Sequence, residues 1–284
     1  MFSAKTYAAR RNMLRTKIGS GIILLPGNSL SPNNYPNNAY YFRQDSSFRY
    51  YFGLNTPSLA GLIDADTGEE ALYGDDFTVE DIIWTGPQPT LRELGAEVGV
   101  TATFPMAELE KRLRKAVSLG RKIHYLPPYR GETKLQLSAL LGIKPELLHD
   151  YKSVELMFAV AEMREKKSAE EVEAMERAFL IGYHMHTLAM HMCHPGVIER
   201  EIAGAIEGIA KSSGSGLSFP SIVSQHGETL HNLNADGVLR QWTATARTTR
   251  APTPSAAGSR RSRRRFTTSY WRHTTMWRAS SSRI

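Results

Sequence analysis

Six histidines stand between residues 184 and 231, and they fall into two kinds. His184, His186, His191 and His194 share one helical stretch, where only the 184/191 and 191/194 pairs lie on a common face. No acidic residue accompanies them in helical register, as a bound divalent metal would require, so they read as solvated or helix-terminal side chains. His226 and His231 sit instead among turns and short apolar runs, which present side chains to a ligand more readily. A lone loop histidine is nevertheless more often structural than catalytic. Carboxylates, the other half of a hydrolytic metal site, stop at Asp236. The single thiol, Cys193, lies beside the Pro195 helix stop and reads as a small apolar residue.

The charge pattern changes at the same place. Residues 241–284 hold ten Arg and no Asp, Glu or Lys, with Ser, Thr, Ala and Pro filling most of the rest. The first 240 residues hold 25 Lys+Arg against 28 Asp+Glu, so the whole-chain charge of +7 comes from the tail. An arm rich in arginine with Tyr270 and Trp271 could bind nucleic acid, but such arms usually keep Lys and Gly. Nucleic acid is therefore the least favoured partner. No apolar run nears the ~18 residues of a membrane span, and the first residues lack the apolar core of a signal peptide. One cysteine excludes an internal disulfide framework and suits a reducing compartment, so the expected location is cytoplasmic.

Any site must be positioned by the body, whose first part alternates helices and strands. A polar–apolar helix is expected over residues 6–17, then a buried strand at Ile22-Ile23-Leu24-Leu25 closed by Pro26-Gly27. Runs at 59–64 and 71–73 flank Asp66-Thr67-Gly68, a hairpin signal. Met106, Leu109 and Leu113 mark an amphipathic helix over 106–118, and 122–126 reads as a strand stopped by Pro127-Pro128. Such alternation specifies a mixed α/β layer domain. Residues 142–165 read as a linking segment, and Trp84 as core or interface packing rather than a ligand contact.

The second part opens on a capping box, Ser168-Ala169-Glu170-Glu171, with Val172, Met175 and Phe179 on one face of the helix that follows. That helix stops at Cys193-His194-Pro195-Gly196. Ile198, Ile202, Ile206 and Ile209 then predict a second amphipathic helix ended by residues 212–214. Strands are expected at 217–223 and 230–233.

These residues resemble the aminopeptidase P (Xaa-Pro aminopeptidase) family. The matching runs are Arg43-Gln44-Asp45-Ser46-Ser47-Phe48-Arg49-Tyr50-Tyr51-Phe52-Gly53, Trp84-Thr85-Gly86, and Met163-Arg164-Glu165-Lys166-Lys167-Ser168. Pro195-Gly196 with Glu199 and Glu201, Phe219-Pro220-Ser221-Ile222-Val223 and Leu230-His231-Asn232 complete the order. The resemblance implies an α/β fold: a creatinase-like N-terminal domain at 1–160, then an incomplete pita-bread (α+β) catalytic domain at 165–240. It implies removal of the N-terminal residue from peptides with proline second, two manganese ions held by two Asp, one His and two Glu, and a homo-oligomer. His231 then becomes the candidate catalytic residue, contacting substrate beside the metals. Two metals would acidify a bridging water and stabilise charge on the attacked carbonyl.

The family's metal carboxylates should follow His231, where this chain has Arg, Ser and Thr. Trp and Met have one codon each, so residues 269–277 constrain their codons tightly. Read from the last base of the preceding codon, they permit Ile-Val-Leu-Ala-Ala-His-Asp-His-Val, similar to an apolar helix of the family. The same shift across 248–253 permits Tyr-Asp-Ala-Gly-Ala-Asp, similar to the first-ligand motif. The expectation is an out-of-frame, disordered end at 241–284 and a chain without peptidase activity. Two other classes remain: a non-catalytic oligomerisation or binding module, and a prolidase-like or creatinase-like sibling.

Overall fold

A computed structural model of the chain describes residues 1–214, 216–228, 231–232 and 234–240. The reading of 241–284 as an out-of-frame, disordered end lies outside these residues, as does much of the strand expected at 230–233. The chain divides into two compact units, Met1–Arg164 and Glu165–Ile284.

The first unit runs α1 (Ala4–Ile18), β1 (Ile22–Pro26), α2 (Ser46–Phe52), β2 (Ala60–Asp64), β3 (Glu70–Tyr73), α3 (Val79–Thr85), α4 (Leu91–Glu97), β4 (Ala102–Phe104), α5 (Met106–Ser118), β5 (Ile123–His124), α6 (Gly131–Leu141) and α7 (Val154–Glu165). Its sheet has the order β4-β3-β2-β1-β5. β1–β2 and β2–β3 are antiparallel, in registers Ile23↔Ile63 and Leu62↔Ala71, whereas β1–β5 and β3–β4 are parallel. The Ile22–Leu25 run is apolar throughout because both of its faces are covered. Ile23 and Leu25 join a core with Phe48, Phe52, Leu94 and Leu156, while Ile22 and Leu24 join Leu109, Leu113 and Leu137 on the other side.

The 43–53 run supplies much of that core. Asp45 caps α2 by accepting the Ser47 and Phe48 N–H groups, both at 2.8 Å, and Gly53 ends the helix at φ 71°. Phe48, Tyr51 and Phe52 are then fully buried. Buried Gln44 accepts the Asn28 and Asp45 N–H groups and donates to the Thr56 carbonyl, pinning two loops to the helix start. Gly61 on β2 allows the closest approach, since a Cβ there would stand 2.1 Å from the Phe52 ring.

Three expectations for this unit are corrected. Residues 154–165 are not a linker: Leu156, Ala159, Val160 and Met163, spaced for one helical face, make α7 part of the core. The sequence hides this because Met157 and Phe158 leave apolar side chains on the exposed face too. Trp84 is not core either, being 81% exposed on α3. That helix buries none of its residues and is fixed by its own Thr78–Asp81 capping box. Lys122–Leu126 pairs over only two residues, Ile123 and His124, because the chain turns away toward Pro127-Pro128.

The second unit holds α8 (Ala169–Met192) and α9 (Glu199–Ser212). Ser168 and Glu171 form the expected capping box. Met185, Ala189, Ile202, Ile206, Ala210, Val223 and Leu239 make one core, so the isoleucine stripe of α9 faces inward as its spacing requires. Met175 is buried but Val172 is exposed, so the start of α8 has no complete apolar face in contact. Residues 217–223 do not form a strand. A strand exists only with a ladder partner, and the backbone pairing that does form lies between 196–200 and 235–239. Gly196 N–H bonds the Leu239 carbonyl, Leu239 N–H the Val197 carbonyl, and Glu199 N–H the Gly237 carbonyl.

Candidate functional site

The residues that carry the sequence motifs of the second unit converge on the first turn of α9. Glu199 is 2% exposed, and its carboxylate faces the segment that contains His226 and His231. Its Oε1 accepts the Gln225 N–H at 2.7 Å. Its Oε2 accepts from Asn232 Nδ2 at 3.2 Å and from the Gly237 N–H at 3.3 Å. Asn232 also donates to the Val223 carbonyl at 3.4 Å and accepts the Asn234 N–H at 3.2 Å. One buried carboxylate thus ties together three points of a segment whose described residues form no strand or helix. Gly237 permits the approach, because a Cβ would stand 2.6 Å from Glu199 Oε1 and 2.7 Å from Gln225 Nε2. Glu201 has a separate task, accepting the Ile198 N–H at 2.9 Å at the helix start.

His231 is exposed and directly precedes the anchored Asn232. His226 is exposed as well, with Nδ1 3.2 Å from Glu228, a solvent-facing pair of little energetic weight. The two histidines share a segment, but no hydrogen bond joins either to Glu199 among the described residues. Of the helix histidines, His184 is exposed, and burial lowers the pKa of half-buried His186. His194 Nδ1 lies 3.3 Å from the Pro195 carbonyl at the end of α8. Cys193 is half-buried against the α8–α9 core, which pushes its thiol pKa up. Among the described residues, no three His, Cys, Asp or Glu side chains are grouped to hold a metal ion.

A second polar cluster, in the first unit, looks catalytic in composition but not in geometry. His124 Nδ1 lies 2.7 Å from Ser153 Oγ, and Ser153 Oγ donates to Glu155 at 3.0 Å. A nucleophile–base–acid assembly needs the carboxylate on the far nitrogen of the histidine and an open hydroxyl. Here the far nitrogen meets the Ser20 carbonyl at 3.1 Å and the carboxylate meets the serine. Ser153 is 1% exposed and accepts the Leu156 N–H, so it caps α7 instead of attacking a substrate.

His231 is singled out by its motif, whereas Glu199 and Asn232 stand within motifs that give neither a role. The spacing of 33 residues between Glu199 and Asn232 carries no signal of contact. The available clue was a glutamate at the first position of an apolar helix beside Asn-rich turns, which is too common to single out.

The comparisons with known proteins follow the same two-part division. Residues 7–125 match the aminopeptidase P N-terminal domain, and residues 173–243 match metallopeptidase family M24. The chain is 27% identical over 214 residues to Xaa-Pro aminopeptidase of Escherichia coli (strain K12), covering 72% of this chain and 48% of that protein. It is 26% identical over 217 residues to a probable Xaa-Pro aminopeptidase of Arthroderma benhamiae, covering 74% and 41%. The chain therefore spans about half the length of the curated relatives it matches. A zinc-substituted E. coli aminopeptidase P in complex with product superposes with TM-score 0.71 at 22% identity, over 84% of this chain and 57% of that one. Proline aminopeptidase P II from Yersinia pestis gives 0.70 at 23%, with the same coverage. These likenesses establish the fold: a mixed α/β N-terminal domain followed by part of a peptidase domain. No helix among the described residues is long and apolar enough to cross a membrane.

Proposed function

The chain belongs to the aminopeptidase P family, and from that premise we propose that it carries the scaffold of an Xaa-Pro aminopeptidase without its catalytic metals. The N-terminal domain is assigned to residues 1–160, the opening of the pita-bread domain to 165–240, and the out-of-frame end to 241–284. In a complete site of this kind, two manganese ions would supply the activated water and the Lewis acid. The donor set here does not fit them. Four of the five expected ligands are carboxylates, and none is present after Asp236. Arginine, serine and threonine cannot replace them, and ten arginines would repel divalent cations.

His231 is assigned to the substrate side of the site, and the peptide with proline at its second position is the ligand class. The observation that carries the reading is the ordered pair of domain matches ending in a carboxylate-free stretch. The proposed setting is cytoplasmic. Self-association is proposed through the first unit, supported by Val79, Ile83 and Trp84 standing exposed on α3. Titration calorimetry of the purified chain with manganese tests the reading. No stoichiometric binding is expected, and saturable uptake of two ions per chain would refute it.

A further inference from the structure

We infer that Glu199 is a positioning residue: a buried anionic clasp that fixes the segment from Gln225 to Gly237, and with it the placement of His231. The inference rests on the reading of His231 as a substrate-facing residue.

Burial of a carboxylate is costly unless its lone pairs are filled, so a 2%-exposed glutamate must be held by what surrounds it. Among the described residues, the groups bonded to the Glu199 carboxylate are neutral N–H donors: two backbone amides, of Gln225 and Gly237, and the Asn232 side chain. Hydrogen bonds to an ionised acceptor are about twice as strong as neutral ones, so this cluster orders its segment more firmly than amide–amide contacts would. Otherwise the described part of the segment is held chiefly at its end, where 235–239 pairs with 196–200 and the Arg200 N–H bonds the Ala235 carbonyl at 2.9 Å. Residues 221–228 form no strand or helix, and Arg200–Asp236 at 2.6 Å is an exposed ion pair. Glu199 itself stands on a rigid element, and its own N–H is bonded to the Gly237 carbonyl at 2.9 Å. The clasp therefore closes in both directions between α9 and Gly237. Asn232 is the link to function, because His231 is its immediate neighbour.

Chemistry separates this role from simple packing. A glutamine at 199 would keep the shape of the side chain but turn one acceptor oxygen into a donor, facing Asn232 and Gly237, which also donate. A packing role tolerates that change; a clasp does not. Pairing Glu199→Gln with Asn232→Asp exchanges donor for acceptor across the 199–232 contact and restores a complementary pair there, while the Gly237 N–H still faces the glutamine amide.

The test is amide hydrogen exchange on the full chain, read residue by residue by NMR. In Glu199→Gln, exchange at Gln225 and Gly237 is expected to speed up at least tenfold and the His231 ring resonances to shift. Amides in the middle of α9 should keep their protection. The Glu199→Gln/Asn232→Asp chain should recover protection at Gln225, while Gly237 stays fast. Unchanged protection at Gln225 and Gly237 in the single variant, or no recovery in the double variant, would overturn the clasp. Should Glu199→Gln lose α9 protection as well, Asn232→Ala decides, because it removes one donor and leaves the carboxylate. The His231 resonances should then move while Gln225 stays protected, and unmoved resonances would overturn the inference. Exchange reports the clasp whether or not the chain binds metal or peptide, so its failure is distinct from failure of the family-based reading.

Discussion

His124 and Ser153, 29 residues apart in sequence, meet at 2.7 Å and join β5 to the start of α7. Nε2 of the same ring faces the Ser20 carbonyl, which can only accept, so the neutral ring carries its proton there and Nδ1 accepts from Ser153 Oγ, whose single hydroxyl proton is shared between His124 and Glu155. Burial and then the neighbouring Lys122 ammonium lower the pKa of His124, against weaker opposition from the Ser20 carbonyl and Glu155. The unfolded chain therefore takes up this proton first. Stability should fall as pH drops below the ordinary histidine value of 6.5, with a slope of at most ~1.4 kcal/mol per pH unit from this one proton. Urea midpoints followed by circular dichroism from pH 7.5 to 5.5 measure the slope, and His124→Asn should flatten it.

Glu155 titrates in a separate, lower window. Its own backbone N–H, then Lys122 and Ser153, hold its carboxyl down at about 2. The stability it contributes is present above the unfolded value of 4.5 and is lost as pH falls toward 2. Glu155→Gln also removes a charge that raises the His124 pKa, so it should not flatten the pH 7.5 to 5.5 slope as His124→Asn does, while it reduces the loss seen below pH 4.5 in the same urea series.

Arg11 should be the most sensitive charge in the first unit. Its side chain is fully buried, with Nε 2.6 Å from Glu70 and the two terminal nitrogens on the Tyr51 and Val98 carbonyls at 3.0 Å. Arg11→Ala strands Glu70 and both carbonyls, for an expected loss of about 3–5 kcal/mol in the urea unfolding free energy. Arg11→Lys should also lose much of that stability, because one ammonium cannot span three acceptors held by a planar fork.

Gly61→Ala should destabilise the same unit by about 1–3 kcal/mol, since the added methyl meets the Phe52 ring on a strand that cannot shift without breaking pairing on both sides. Thermal melts read the change.

What the sequence disclosed and withheld follows from the range of the signals. The Ile22–Leu25 strand, the Asp66–Gly68 hairpin, the 106–118 helix and the Ser168 capping box are all local patterns, and each stands where its pattern requires. Arg11 gave no sign of burial, because its partners lie 40 to 87 positions away. Helix α7 was hidden by apolar residues on two faces. In the candidate site the motif singles out His231 as a candidate only. The Glu199 contacts were not legible, being made by backbone amides that any residue type supplies.

The exposed face of α3 provides a test of association. Trp84→Ala should change unfolding free energy by no more than ~0.5 kcal/mol, since the side chain buries little against its own chain. Sedimentation velocity should show a lower mass for Trp84→Ala than for the unaltered chain. Identical masses would count against association through this helix.

The central claim is that a recognisable peptidase scaffold here lacks the carboxylates its chemistry needs, and turnover tests it most directly. The purified chain is incubated with manganese and an Xaa-Pro-Yaa peptide, with and without a chelator, and release of the N-terminal residue is followed by chromatography. No release above the peptide-only control is expected in either arm. Release that requires manganese and disappears with chelator would contradict the claim.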